Sequence, residues 1–184
     1  VIDLRCAYEI GPLEGDPVVP PEASAGVTIV NVPTEDQDDP DFREVCFPIL
    51  DSPEYWQHNW RIQPELVRAT LEAIACARPG ILIHCSAGRD RTGMVSALLL
   101  GNAGVAPDAV AEDYASSVHA MAGAAHHGPT SDRQASWSPQ DVDYWIGDKL
   151  SIVRDVVTHT QDIFDLLELT PGTRAALRGL LVDH

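Results

Sequence analysis

The sequence predicts an α/β fold in which a central, mostly parallel sheet is flanked by helices, with a helix-rich C-terminal half. Three observations carry this reading. Val1 to Leu4, Val27 to Val32 and Ile81 to Ile83 are short apolar, β-branched runs of the kind that form strands. The longer stretches between and after them place apolar residues at helical spacing. Strands separated by helical segments pair in parallel through helical crossovers.

Val1 to Leu4 reads as a buried strand and is followed by a Pro/Gly-rich loop from Gly11 to Gly26. Val27 to Val32 is the second strand. It runs into an acidic loop, Pro33 to Asp41, whose charges read mainly as a solvated surface, with room for one of them to face a site because the loop leaves the C-terminal end of a strand. Gln63-Pro64-Glu65 opens a helix with proline in its first turn and Val67, Leu71 and Ile74 on one face. That helix stops at Arg78-Pro79-Gly80, and Ile81-Leu82-Ile83 follows as a short buried strand. Thr92 to Asn102 is a helix apolar almost all round, hence central. Pro107 opens another through Val110, Tyr114, Val118 and Met121. His126 to Trp137 is a polar loop, in which His126 and His127 read as ordinary loop residues. Ser138-Pro139 begins a long helix through Val142, Ile146, Leu150, Val153 and Val157, and Thr170-Pro171 caps a last one ending near Leu181. Three visible strands are few for a sheet, so further strands are expected in unassigned stretches or ahead of Val1.

At 184 residues the chain reads as a single domain, 1–184, with 45% hydrophobic residues, a globular composition. It opens inside a strand without methionine, which leaves room for an element before residue 1. The net charge of −16 argues against nucleic acid and stable membrane association, so a polyanionic ligand needs a local positive pocket. The longest apolar run, Met94 to Leu100, is far short of a membrane span. Cys6, Cys46, Cys76 and Cys85 form no Cys-x-x-Cys pair and no zinc spacing; they read as free thiols of a cytoplasmic protein, with a secreted origin the alternative.

The chemistry concentrates in His-Cys-Ser-Ala-Gly-Arg-Asp-Arg-Thr-Gly, residues 84–93. Strand, glycine-containing turn and helix together make an anion site, because the turn's amides point inward and the helix N-terminus adds positive potential. Cys85, at the end of the strand, is expected to have its thiol pKa lowered by that potential and by Arg91. Gly88 and Gly93 permit a sharp turn and close approach. Arg91 offers a planar fork to two phosphoryl oxygens, and Thr92 a hydroxyl for the departing sulfur. The amides of Ser86, Ala87, Gly88, Arg89, Asp90 and Arg91 form the cradle. This arrangement suits two-step phosphoryl transfer through a phosphocysteine, and it requires neither metal nor cofactor.

These residues resemble the signature of the cysteine-dependent protein phosphatases. The variant with Gly-[Arg/Lys]-Asp-Arg-Thr-Gly is similar to the bacterial tyrosine phosphatases that include atypical members active on phosphoserine, phosphothreonine and phosphoinositides. Ile-Asp-Leu-Arg-x-x-x-Glu at Ile2 to Glu9, the Asn-Val-Pro turn after the second strand and Glu112-Asp113-Tyr114 extend the resemblance over most of the chain. It implies a tyrosine/dual-specificity phosphatase-like fold. It also implies an activity on phosphate monoesters, with phosphotyrosine in a protein as the first substrate expected and a phosphoinositide as a further one.

On this reading Cys85 is the nucleophile, Arg91 the phosphate clamp, Asp90 the general acid/base and Thr92 an assistant. The acid has a rival in Asp36, from the acidic loop. Arg89 is either a solvated loop residue or a substrate contact. His84 is expected to orient the loop, and Asp3 and Arg5 to pair structurally with it before any substrate contact. Cys6 is expected near the floor of the site, first as a plain buried thiol; were its sulfur within reach of Cys85, a disulfide would protect the nucleophile from peroxide. The alternatives to an active phosphatase are a phosphate-binding pseudophosphatase and a rhodanese-like sulfurtransferase. Because Cys85 and Arg91 are both present, the sequence argues against the first; the Arg-Thr-Gly ending argues against the second.

Overall fold

In a computed structural model of the chain, residues 1–11, 20–122 and 136–182 are described. His126 and His127 lie outside them. Three parallel strands form one sheet in the order β2-β1-β3, where β1 is Ile2–Asp3, β2 is Val30–Asn31 and β3 is Ile83–His84. Ile2 stands opposite Val30 on one side and Ile83 on the other; Asp3 stands opposite Asn31 and His84. Asp3 and the strand leading to Cys85 are therefore direct neighbours.

The strands are shorter than the apolar runs suggest. A ladder extends only where both chains run side by side, and the central strand offers just Ile2 and Asp3. The third strand accordingly falls at Ile83–His84 rather than 81–83; it is half-buried, and Leu82 is exposed. The second strand is an edge, paired on one side only among the described residues, and its Ile29 and Val30 face solvent. Burial follows the apolar run in the central strand, where Ile2, Asp3 and Leu4 are buried, and not in the second.

Eight α-helices are present among the described residues: α1 Pro40–Cys46, α2 Trp56–Ile62, α3 Pro64–Ala75, α4 Asp90–Ala103, α5 Pro107–Met121, α6 Pro139–Thr158, α7 Thr160–Leu166 and α8 Pro171–Val182. The sequence anticipated α3, α4, α5, α6 and α8. Helix α6 starts on a capping box in which the Ser138 hydroxyl accepts from the Asp141 amide. Helix α8 starts where Thr170 Oγ1 accepts from Thr173 N at 3.1 Å. Helix α4 packs against α5, α6, α7 and α8, and buries Met94, Val95, Leu98 and Leu99. No helix among the described residues is long and apolar enough to cross a membrane.

Helices α1, α2 and α7 were not anticipated. Each has seven residues, two turns, too few for a period to declare itself. Helix α1 overturns part of the loop expected at 33–41. Asp39 caps it by accepting from Phe42 N at 2.8 Å, and Pro40 takes the first helical position.

Candidate active site

Most charges of the acidic stretch after β2 are solvated as expected: Asp36, Asp38 and Asp41 are exposed. Glu35 alone among its acids is buried, together with the neutral Thr34 and Gln37. The loop is moored from beneath by neutral side chains. Asn59 Nδ2 donates to Thr34 O at 3.1 Å, and Thr70 Oγ1 donates to Val32 O at 3.1 Å. The Gln63 amide brackets Asp36, accepting from its N–H at 2.8 Å and donating to its carbonyl at 2.9 Å. Asp36 itself is exposed, and its Oδ1 accepts from Asp38 N at 2.9 Å. The Gln63 amide is bonded at both ends, and Asn59 Nδ2 and the Asp36 N–H gain partners that water would otherwise supply.

Residues 2–9 are wired to one another and then to the loop 84–91. Asp3 accepts from Arg5 through its guanidinium, Nη2 to Oδ2 at 2.8 Å, and through its backbone N–H at 3.0 Å. Burial raises the Asp3 pKa, but the Arg5 bonds outweigh it and hold the carboxyl below its ordinary value. Asp3 Oδ1 also stands 3.8 Å from His84 Nε2, and the other ring nitrogen of His84 lies 3.0 Å from the Cys85 carbonyl. His84 thus ties the Cys85 backbone to β1. A 3-10 turn, Ala7–Glu9, follows, closed by the Glu9 carboxylate accepting from Cys6 N at 2.9 Å.

The same carboxylate grips Arg91 with both oxygens: Arg91 Nη2 donates to Oε1 at 2.8 Å and Nη1 donates to Oε2. Both side chains are about nine-tenths buried. Burial alone would raise the Glu9 pKa and lower that of Arg91. The paired bonds win in both cases, holding the carboxyl below its ordinary range and the guanidinium firmly protonated. A second carboxylate, Glu35, lies on the other side, its Oε1 3.7 Å from Arg91 Nε. Sequence reasoning missed Glu9 and Glu35 as site residues. The final Glu of Ile-Asp-Leu-Arg-x-x-x-Glu was a signal for the first; Glu35 had none beyond its place after a strand.

Cys85 is buried after β3, and α4 begins at Asp90, two residues ahead of the expected Thr92. Gly88 turns the loop with φ +72°, a region that β-carbon-bearing residues avoid. Among the described residues the amides of Ala87 and Gly88 donate to no protein acceptor, so they are available to an anion in the turn. The hydroxyl of Thr92 is buried and likewise has no protein partner there. Gly93 serves packing: a β-carbon on it would meet Tyr114 Cδ2 at 2.9 Å and Trp56 Cζ2 at 3.4 Å. Those two rings pack edge to face with centroids 5.3 Å apart, pressed against the first turn of α4.

Arg89 is not a solvated residue. It is buried, and its guanidinium pairs with Asp90, Nη2 to Oδ2 at 3.0 Å and Nε to the same oxygen at 3.0 Å. The carboxylate between the two arginines is thereby held by the first of them. Cys6 Sγ donates to Glu35 O at 3.2 Å, and burial pushes its thiol up to about 12. No His, Cys, Asp and Glu side chains among the described residues group as metal ligands do.

A thiol at a strand end, a turn with amides free of protein acceptors among the described residues, a helix N-terminus and a buried clamped arginine accord with the class of the cysteine-dependent phosphatases. The tyrosine phosphatase family matches the chain over residues 1–168, and the chain belongs to it. A tyrosine-protein phosphatase of Nostoc commune is 39% identical over 70 residues, 38% of this chain and 24% of that protein. The match thus spans about a quarter of that relative's length. No solved structure matches the chain.

Proposed function

We propose that the chain hydrolyses phosphate monoesters, with phosphotyrosine in proteins as its principal substrate. The observation that carries this reading is the seat of Arg91. It is a buried cation at the first turn of α4, fixed by Glu9 beside a turn that ends at Cys85. Glu9 balances the Arg91 charge, so the attraction for an anion is the sum of the α4 N-terminus, the amides of Ala87 and Gly88 and the Arg91 N–H bonds that Glu9 leaves free. A phosphate monoester, which accepts several hydrogen bonds at once, suits that turn.

In the proposed reaction the Cys85 sulfur attacks phosphorus in line with the ester oxygen. The S–P bond forms as the P–O bond breaks, and the departing phenolate takes a proton from Asp90. The loop amides and Arg91 hold the charge on the equatorial oxygens. Water, deprotonated by Asp90, then attacks phosphorus; the S–P bond breaks and the sulfur leaves, assisted by the Thr92 hydroxyl. Asp90 is favoured over Asp36 as the acid because Arg89 holds it within the loop. Asp36 faces outward from a segment pinned by Gln63. The four unbridged cysteines accord with a reducing cytoplasm as the compartment proposed.

The test is turnover of p-nitrophenyl phosphate, a phosphotyrosine peptide, a soluble phosphoinositide and thiosulfate, with the wild type and Cys85→Ser. Release of phosphate from the first two, abolished in the variant, supports the reading, and the phosphoinositide arm reports how far the specificity extends. Turnover of thiosulfate alone would replace it with sulfur transfer. Phosphate binding without turnover would make the chain a pseudophosphatase.

A further inference from the structure

Arg91 sits between two carboxylates, yet only one of them is bonded to it. Glu9 occupies both terminal nitrogens. Glu35 lies 3.7 Å from Nε, beyond hydrogen-bond length, with its side chain 1% exposed. One of its oxygens, Oε1, accepts from Gln37 Nε2 at 2.6 Å; the other, Oε2, is buried without a partner among the described residues. An ionised carboxylate accepts several hydrogen bonds and tolerates burial only when its charge is matched. Here the guanidinium charge is already matched by Glu9, so a second anion would be surplus. A protonated acid suits these surroundings better, its carbonyl facing Gln37 and its hydroxyl on the other side. The loop cannot relieve the conflict by swinging outward, because Asn59, Gln63 and Cys6 hold Thr34, Asp36 and the Glu35 carbonyl in place.

We propose that Glu35 is a neutral carboxylic acid beneath Arg91 and a positioning residue for it, whose loss of a proton draws the guanidinium away from the phosphate site and weakens anion binding. The inference rests on the reading of residues 84–91 as a phosphate cradle. The groups that face Glu35 are known from each side. Arg91 and Asp90 come from α4, Glu9 and Tyr8 from the 3-10 turn after β1, Tyr8 also bonding Gln37, and Cys6 from just before that turn, Tyr55 from the turn ahead of α2, and Cys46 from α1. Among them Arg91 is the cation that favours ionisation, while Glu9 and Asp90 oppose it. Burial raises the Glu35 pKa more than the Arg91 charge lowers it, which agrees with the geometry. The two carboxylates around one arginine thus take opposite states, Glu9 ionised and Glu35 protonated.

The ligand for the test is sulfate, a dianion throughout the neutral and alkaline range, and the protein is the full chain carrying Cys85→Ser, so that the nucleophile does not titrate. Sulfate affinity is measured by calorimetry from pH 6 to pH 9.5, with and without Glu35→Gln. The expected result is a decline with pH of up to about tenfold per unit above the Glu35 transition, one proton being linked to binding. Glu35→Gln, which keeps the neutral shape and cannot ionise, should hold the low-pH affinity across the range. Parallel declines in the two proteins would overturn the role of Glu35 and leave the cradle standing. Absence of sulfate and phosphate binding at every pH would overturn the cradle, and the inference with it. Infrared spectra of the wild type at pH 7 supply a measurement independent of the variant's folding. A protonated-carboxyl C=O stretch that vanishes in deuterated alkaline buffer is expected, and its absence would contradict the neutral acid.

Discussion

Replacing Glu9 by glutamine removes one negative charge from a bidentate pair while nearly preserving shape. In the wild type the carboxylate accepts two charge-assisted bonds from Arg91 and one from Cys6 N. The amide of glutamine has one oxygen to offer, and its NH2 group would face a guanidinium nitrogen. Breaking a buried ion pair costs about 3–5 kcal/mol, because the remaining charge is left without compensation. Glu35, 3.7 Å away, can supply part of that compensation by ionising, so about 3 kcal/mol is the expected loss at pH 7. For a chain of this size that is a fall in Tm of about 6–12 °C. The pH dependence has a definite sign. The Glu9 pKa is depressed in the folded state, so its contribution is complete above the ordinary value near 4.5 and disappears as pH falls through the lower folded value. The gap between wild type and Glu9→Gln should therefore be wide at pH 7 and narrow in acid. Misplacing the clamp should also cost kcat/KM about 10²-fold. Thermal unfolding and p-nitrophenyl phosphate kinetics measure both. A variant within 2 °C and threefold of wild type (both on the order of ordinary surface changes) would refute the claim that Glu9 seats the arginine.

Asp90→Asn should lose far more activity on alkyl or unsubstituted phenyl phosphates than on esters with good leaving groups, with Asp36→Asn nearly neutral on both; a reversed pattern would transfer the acid to the moored loop. Gly93→Ala drives a methyl group to 2.9 Å from Tyr114 and should destabilise by about 1–3 kcal/mol in thermal unfolding, whereas an unchanged Tm would mean that the rings yield freely. Cys6→Ser should recover from peroxide to the same extent as wild type after dithiothreitol, because the Cys6 thiol is engaged with Glu35 O and, with a pKa raised to about 12, stays protonated at neutral pH. Markedly poorer recovery in the variant would restore the protective disulfide with Cys85.

The strand, turn and helix that carry Cys85 and Arg91 were legible in the sequence because their residues lie within ten positions and each answers a local need, a bend, a charge or a helix start. The long helices were legible for a related reason: α3, α5 and α6 repeat their apolar face often enough to reveal a period. What surrounds Arg91 was not. Glu9 lies 82 positions before it, and Glu35 comes from a stretch that reads as a surface loop; only the parallel pairing of β1 with β2 and β3 brings them together. Nor does an acidic run announce which single member turns inward, here Glu35, while Asp36, Asp38 and Asp41 face solvent. The mooring of Thr34 and Asp36 by Asn59 and Gln63 depends on α2, two turns too short to detect. Arg89 illustrates the same limit, since exposed and buried arginines look alike until the partner, here Asp90, is seen.

The measurement closest to the central claim is acid-quench trapping of the covalent intermediate. The protein is mixed with phosphotyrosine peptide, quenched within the first turnovers, digested and analysed by mass spectrometry. One phosphoryl group on the peptide that contains residues 84–91, localised to Cys85 and absent from Cys85→Ser, is the result expected. Steady turnover by Cys85→Ser, or a phosphoryl group trapped on another residue, would contradict it.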